Sequence, residues 1–278
     1  MRKVALIVLL LGCVAPLALS LGYGLMYSLG LIGLQSEGFT LSFWAQLLSG
    51  EFARSIIYSA YVAGASTVLA LGAALALLFS CRLHLRRALP YRLLFLPLTV
   101  PPLVAAFVVF QLLSGGGVLA RAAWHFGLIS DTQAFPELVH DPYGVGIIIA
   151  HGFLVFPFFL LVLLNIWDNE QLDELGRVAA SLGVAKHRVF ARIHLPLLMR
   201  GIFPLLALYV IFFMGAYDIP LVLGQSSPRM ISVLVLEKLQ RFNLADIPVA
   251  YAMASWYALL CIATIALLFT RFKRRYSL

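Results

Sequence analysis

The chain has 278 residues, of which 62% are hydrophobic and only 12% charged, with a mean hydropathy of +0.98. Ordinary soluble domains carry about 45–50% apolar and about 25% charged residues, so a soluble enzyme is excluded and the length is counted in membrane spans. Lys and Arg number 20 against 12 Asp and Glu, a formal +8. In a membrane chain that excess reads as loop charge held on one side rather than as a nucleic-acid face. Cys13, Cys81 and Cys261 are odd in number and widely spaced, which suggests neither a disulfide framework nor a metal site.

Six apolar runs follow in chain order, at about 4–29, 55–80, 93–113, 143–165, 202–224 and 248–269. Each suffices for the roughly 20 helical residues that cross about 30 Å of hydrocarbon. None alternates cleanly with a period of two, so helices are the expected way of satisfying the backbone in lipid. The first run follows Met1-Arg2-Lys3, the form of a signal peptide. Its apolar stretch continues past Tyr27 without a clear small-residue cleavage site, which points to an uncleaved first helix.

With the N-terminus placed in the cytoplasm, the inside segments hold Arg2 and Lys3; Arg82, Arg86, Arg87 and Arg92; Arg177, Lys186, Arg188, Arg192 and Arg200; and Arg271, Lys273, Arg274 and Arg275. Only Arg54, Arg121, Arg229, Lys238 and Arg241 fall outside. Most acidic residues divide the other way: Glu37, Glu51, Asp131, Glu137, Asp141, Glu237 and Asp246 lie outside. The positive-inside rule then puts both termini in the cytoplasm.

Two outside segments carry helical stretches. Segment 114–142 opens with three glycines and continues as Val118–Phe126, apolar enough for an interfacial helix anchored by Trp124. Segment 225–247 contains a second stretch at 231–239. Both are read as connecting structure, with a substrate role as the alternative.

The inside segment 166–200 says more. Leu172, Leu175, Val178 or Ala179, and Leu182 recur at helical spacing, with acidic residues at the start, where they complement the helix dipole. Gly183 supplies a stop. A second amphipathic stretch carries Val189, Phe190 and Ile193 on one side and Lys186, Arg188 and Arg192 around the other, and Pro196 is expected to close it. Periodicity leaves two readings open: a docking knob, or a hairpin lying on the inner leaflet.

Here a resemblance enters. Ala179-Ala180-Ser181-Leu182-Gly183, followed by Ile193-x-Leu195-Pro196, resembles the EAA loop of ABC importer permeases, the MetI-like inner-membrane subunits of binding-protein-dependent uptake systems. Leu96-Pro97-Leu98-Thr99-Val100-Pro101-Pro102 is similar to their Pro-rich third span. The helix count, the topology and the place of the loop also agree. The resemblance implies an all-α membrane protein in which residues 1–278 form a single six-helix transmembrane domain of the bacterial inner membrane. It implies a non-catalytic subunit without a cofactor, fed by an extracytoplasmic solute-binding protein, paired with a second permease, identical or paralogous, and driven by a cytoplasmic ATPase dimer that binds the ATP.

Carried over residue by residue, the ATPase-coupling positions are Arg177, Val178, Ala179, Ala180, Ser181, Leu182, Gly183, Lys186, Ile193 and Pro196. Arg177 stands where the family usually has the glutamate of Glu-Ala-Ala, which leaves Glu174, one turn earlier, as the nearby carboxylate.

Asp218 is the lone charge well inside a run, 16 residues beyond Ile202, or about 24 Å at helical rise. A carboxylate near a helix centre costs about 2.5–3.5 kcal/mol on insertion scales. It is read either as lining a translocation path with Tyr217 and meeting a cationic solute, or as capping backbone freed by Pro220, or as pairing with Arg229. Relatives of this type import polyamines, ferric iron, thiamine or phosphonates, and Gly215–Leu221 leans toward the polyamine branch. The six histidines show no i, i+4 pair and no phosphate loop occurs. The alternatives are a self-sufficient secondary transporter or channel, or a membrane enzyme. The former needs coupling residues or an inverted repeat, the latter a nucleophile, metal or paired carboxylates.

Overall fold

A computed structural model describes residues 2–33, 36, 38–48, 50–85 and 88–276. Glu37, Arg86 and Arg87 lie outside the described residues, as do the side chains of Arg2, Lys3, Arg271, Lys273, Arg274 and Arg275. All regular structure among the described residues is helical. In chain order the helices are α1 (Arg2–Ser28), α2 (Ser42–Ala45), α3 (Gly50–Leu85), α4 (Ala88–Leu93), α5 (Pro102–Leu113), α6 (Val118–His125) and α7 (Val145–Asn169). They continue as α8 (Leu172–Ser181), α9 (Lys186–Val189), α10 (Leu195–Met214), α11 (Asp218–Leu223), α12 (Ile231–Gln240) and α13 (Asp246–Tyr276).

Among the described residues five stretches are long and apolar enough to cross a membrane: Gly50–Arg82, Pro102–His125 (counted through the turn after α5), Val145–Asn169, Lys186–Met214 and Asp246–Thr270. The first expected run coincides with α1, whose Gly12–Ser28 is a shorter apolar stretch.

The chain divides into two compact units, residues 1–57 with 230–278, and residues 58–229. In the first, α1 packs along α13. A Cβ on Gly24 would stand 3.7 Å from Ser255 Oγ, an ordinary van der Waals distance, so this crossing has room for an alanine. Tyr27 stacks on Tyr251 at 4.5 Å. A core of Leu47, Phe52, Ile231, Leu234, Val249 and Met253 seats α12 on α13. Lys238, 7% exposed, would be costly without partners. It meets Glu51 at 3.4 Å and Asp246 at 3.9 Å, the first-turn acids of α3 and α13.

In the second unit α7 is the buried element: Ile147, Ala150, Phe159, Leu160 and Leu163 are fully enclosed, and α5, α10 and α11 all pack on it. Its start is fixed by Asp141, whose carboxylate accepts from the amides of Tyr143 at 3.0 Å and Val145 at 2.8 Å. Glycine permits two close crossings. A Cβ on Gly152 would come within 2.9 Å of Leu69, and one on Gly201 within 2.9 Å of Ile166.

Three expectations are corrected. The run at 93–113 is not one helix: α4 stops at Leu93, a 3-10 turn occupies Pro97–Thr99, and α5 begins at Pro102. Pro97, Pro101 and Pro102 lack amide donors, and Val100 and Pro101, each followed by a proline, are extended rather than helical. The run at 202–224 breaks between Met214 and Asp218. In a continuous helix Pro220 would clash with the carbonyl of Ala216 and leave it unpaired, and the break removes that conflict. Pro196 does not close the second amphipathic stretch. A π-helical turn at Phe190–His194 carries α9 directly into α10. The wider turn shifts the hydrogen-bond register and accommodates a proline in the following turn.

Candidate functional site

The 172–200 segment folds as a hairpin. Leu172 and Ala179 are the buried residues of α8, while Glu174, Leu175, Arg177, Val178, Ala180 and Ser181 are exposed. The helix ends in a Schellman arrangement, in which the Gly183 amide donates to the Ala180 carbonyl at 3.0 Å and the Val184 amide to Ala179 at 3.1 Å. Gly183 has φ +75°, a conformation costly for residues with a Cβ. Leu182 at the tip is 76% exposed. Glu174 and Arg177 approach to 3.8 Å on the exposed face, so carboxylate and guanidinium are presented side by side. Lys186 is exposed at the start of α9, Ile193 lies on the π turn, and Pro196 sits in the first turn of α10.

Residues that sequence reasoning missed hold this hairpin. Arg82, at the end of α3, reaches Asp173 at 2.6 Å and lies over the Trp167 ring at 4.1 Å. His194 Nε2–H donates to the Leu172 carbonyl at 3.2 Å, and its ring lies 4.7 Å from Trp167. Gly176 gives that histidine room, since a Cβ would stand 3.2 Å from Nε2. Between these elements opens a cleft of about 660 Å³, with Arg82, Trp167, Arg177 and Lys186 in its lining.

The second feature is the break after α10. Tyr217 and Asp218 border a cleft of about 420 Å³ with Pro97, Pro102, His151, Tyr209 and Phe212. Asp218 begins α11 rather than lying mid-helix. It is exposed and its carboxylate makes no hydrogen bond or ion pair among the described residues, so neither the cap nor the Arg229 pair is formed. His151 is 2% exposed and stacks on Phe213 at 4.4 Å. Neither of its ring nitrogens has a hydrogen-bond partner among the described residues. Tyr209 stands edge-on to Phe159 at 5.1 Å. The fold thus gathers Glu174 to Pro196 in one hairpin and sets Tyr217 and Asp218 at a separate aromatic cleft. The signal for His151 was a polar ring in the middle of an apolar run, and buried polar groups in such runs are functional candidates.

Residues 69–278 match the model of a family described as binding-protein-dependent transport system inner membrane component. The thiamine transport system permease protein ThiP of Brucella suis biovar 1 (strain 1330) is 30% identical over 194 residues, covering 69% of this chain and 33% of that protein. ThiP of Brucella abortus (strain 2308) gives the same identity and coverage. The chain therefore spans about one third of the length of the thiamine permeases it matches. The fold resembles that of a bacterial ABC transporter involved in the import of the acidic polysaccharide alginate, with a TM-score of 0.64, 17% identity, and coverage of 100% of this chain and 97% of that one. A second structure, an alginate ABC transporter in complex with alginate pentasaccharide-bound periplasmic protein, gives a TM-score of 0.61 at 18% identity, covering 96% and 91%. This chain belongs to the family of binding-protein-dependent transport system inner membrane components, the permease subunits of ABC importers.

Proposed function

We propose that this permease subunit forms half of a solute path and is driven through its 166–200 segment by a separate cytoplasmic ATPase dimer. The other half is a second permease, identical or paralogous, and an extracytoplasmic binding protein delivers the solute. ATP is bound and hydrolysed on the ATPase, and this chain performs no catalysis. Both termini and the hairpin face the cytoplasm, as the basic loops require.

The observation that carries this reading is the hairpin. Leu175, Val178 and Leu182 are exposed apolar side chains beside Arg177 and Lys186, on an element tied by Arg82 to the end of α3. Movement imposed on such a knob reaches α3 and α10 as a rigid-body shift. Coupling contacts come from Glu174, Arg177, Val178, Ala179, Ala180, Ser181, Leu182, Gly183 and Lys186, with Ile193 and Pro196 joining the knob to α10.

The solute is a small organic cation that passes Tyr217 and Asp218. An exposed carboxylate beside the rings of Tyr209 and Phe212 suits a positive charge through ionic and cation–π contact. The name of the ThiP relatives supports a thiamine-like solute, and a polyamine satisfies the same chemistry. Reconstitution with the ATPase, the partner permease and the binding protein tests the account. ATP-dependent uptake is expected, together with loss of ATPase co-purification on Gly183→Asp. Uptake by this chain alone without ATP overturns it in favour of a self-sufficient transporter.

A further inference from the structure

We propose that the cleft between the end of α3 and the 172–200 hairpin is a binding site for the phosphate headgroup of an anionic phospholipid. The cleft holds about 660 Å³, within the roughly 300–1,000 Å³ range of small-molecule sites. Among the described residues its lining carries three permanent cations, Arg82, Arg177 and Lys186, against the single carboxylate of Asp173. That carboxylate is already engaged by Arg82 at 2.6 Å. The Arg82 guanidinium is held over Trp167, and its Nη1 has no hydrogen-bond partner among the described residues. A buried guanidinium nitrogen without an acceptor needs an explanation, and a nearby phosphate oxygen supplies one.

The rest of the lining selects an amphiphile over a free anion. Phe79 and Phe190 meet edge to face at 4.5 Å and form an apolar wall of the same cleft. A headgroup placed between Lys186 and Arg177 leaves its glycerol and first methylenes against this wall. Basic pockets beside apolar spans at a membrane surface are the setting in which anionic headgroups bind. A bound lipid bridges α3 and the hairpin, so membrane composition sets how firmly the hairpin is held. This inference rests on the proposed place of the 166–200 segment at the inner leaflet, but not on its contact with an ATPase.

Trp167 lies in the lining and reports occupancy directly. With Trp44, Trp124 and Trp256 replaced by Phe, the full chain is placed in phosphatidylcholine nanodiscs. These contain a minor fraction of phosphatidylglycerol or phosphatidylcholine with brominated acyl chains. Brominated phosphatidylglycerol is expected to quench Trp167 at a much lower fraction than brominated phosphatidylcholine. Lys186→Gln raises the half-quenching fraction about fivefold, Arg177→Gln acts similarly, and Lys186→Arg restores the original value. Both positions are exposed, so these variants leave the core intact. Equal quenching by the two lipids overturns the proposal, and relief of quenching by inorganic phosphate assigns the cleft to a free anion instead. Both nanodisc leaflets have one composition, so the result is independent of sidedness. Thiol labelling of Leu182→Cys in sealed vesicles reads the sidedness separately.

Discussion

The hairpin at 172–200 and the helix break at 215–217 are built by opposite means. The hairpin is held by polar contacts, an Arg82–Asp173 pair and a His194–Leu172 hydrogen bond, and presents apolar side chains outward at its tip. The break is enclosed by aromatic rings and presents one unpartnered carboxylate. A surface that shows apolar groups on a polar frame suits a protein partner that shields them, whereas a carboxylate in an aromatic cleft suits a cation. In the proposed function the difference separates energy input from solute contact within one compact unit, and each region can be disturbed alone.

The largest effect is expected at Gly183. Its φ of +75° is a severe strain for a β-branched residue and mild for asparagine. Gly183→Val should therefore lower ATP-driven uptake by at least about tenfold while Gly183→Asn stays near wild type. No atom lies within 4 Å of a Cβ there, so equal losses in the two variants would locate the effect in partner contact rather than backbone. At the other region, Asp218→Asn should lower uptake efficiency for a cationic solute by about tenfold, the scale of one charged hydrogen bond. ATPase co-purification should be unchanged, and its loss would merge the two regions.

Arg82→Ala removes an ion pair and a ring contact and should destabilise the protein by about 1–2 kcal/mol, read as a lower unfolding temperature in detergent. Asp173→Ala should cost less in the Arg82→Ala background than in the wild type, because the pair is already broken. The smallest effect on stability belongs to Glu174→Gln. The exposed Glu174–Arg177 pair at 3.8 Å contributes less than about 0.5 kcal/mol. Uptake divides the two candidates: loss on Glu174→Gln alone makes the carboxylate the ATPase contact, and loss on Arg177→Gln alone makes it the guanidinium.

The hairpin was largely legible because its signals are local. A helical apolar stripe, a glycine stop and the Ile-x-Leu-Pro spacing all lie within one short segment. Arg82 was not, because it sits 91 positions before Asp173 and only the fold brings the two together. The aromatic cleft was hidden for the same reason, since Pro97, His151 and Tyr209 come from three separate elements. The break at 215–217 could have been read from Pro220, which a continuous helix tolerates poorly. Run length obscured it, as it obscured the prolines at 97–102. At Pro196 the same rule misled in the other direction, because a π turn absorbed the proline without ending the helix.

In the proposed function the hairpin tip is the contact through which an ATPase drives this permease. Leu182 and Leu128 are equally exposed, at 76%, and the basic-loop topology places them on opposite sides of the membrane. In a chain with Cys13, Cys81 and Cys261 replaced by Ala, each is changed to Cys and treated with a short thiol cross-linker in the assembled transporter. Leu182→Cys is expected to link to the ATPase subunit and Leu128→Cys is not. A link through Leu128→Cys, or an unlinked Leu182→Cys in an intact, ATP-hydrolysing complex, would contradict it.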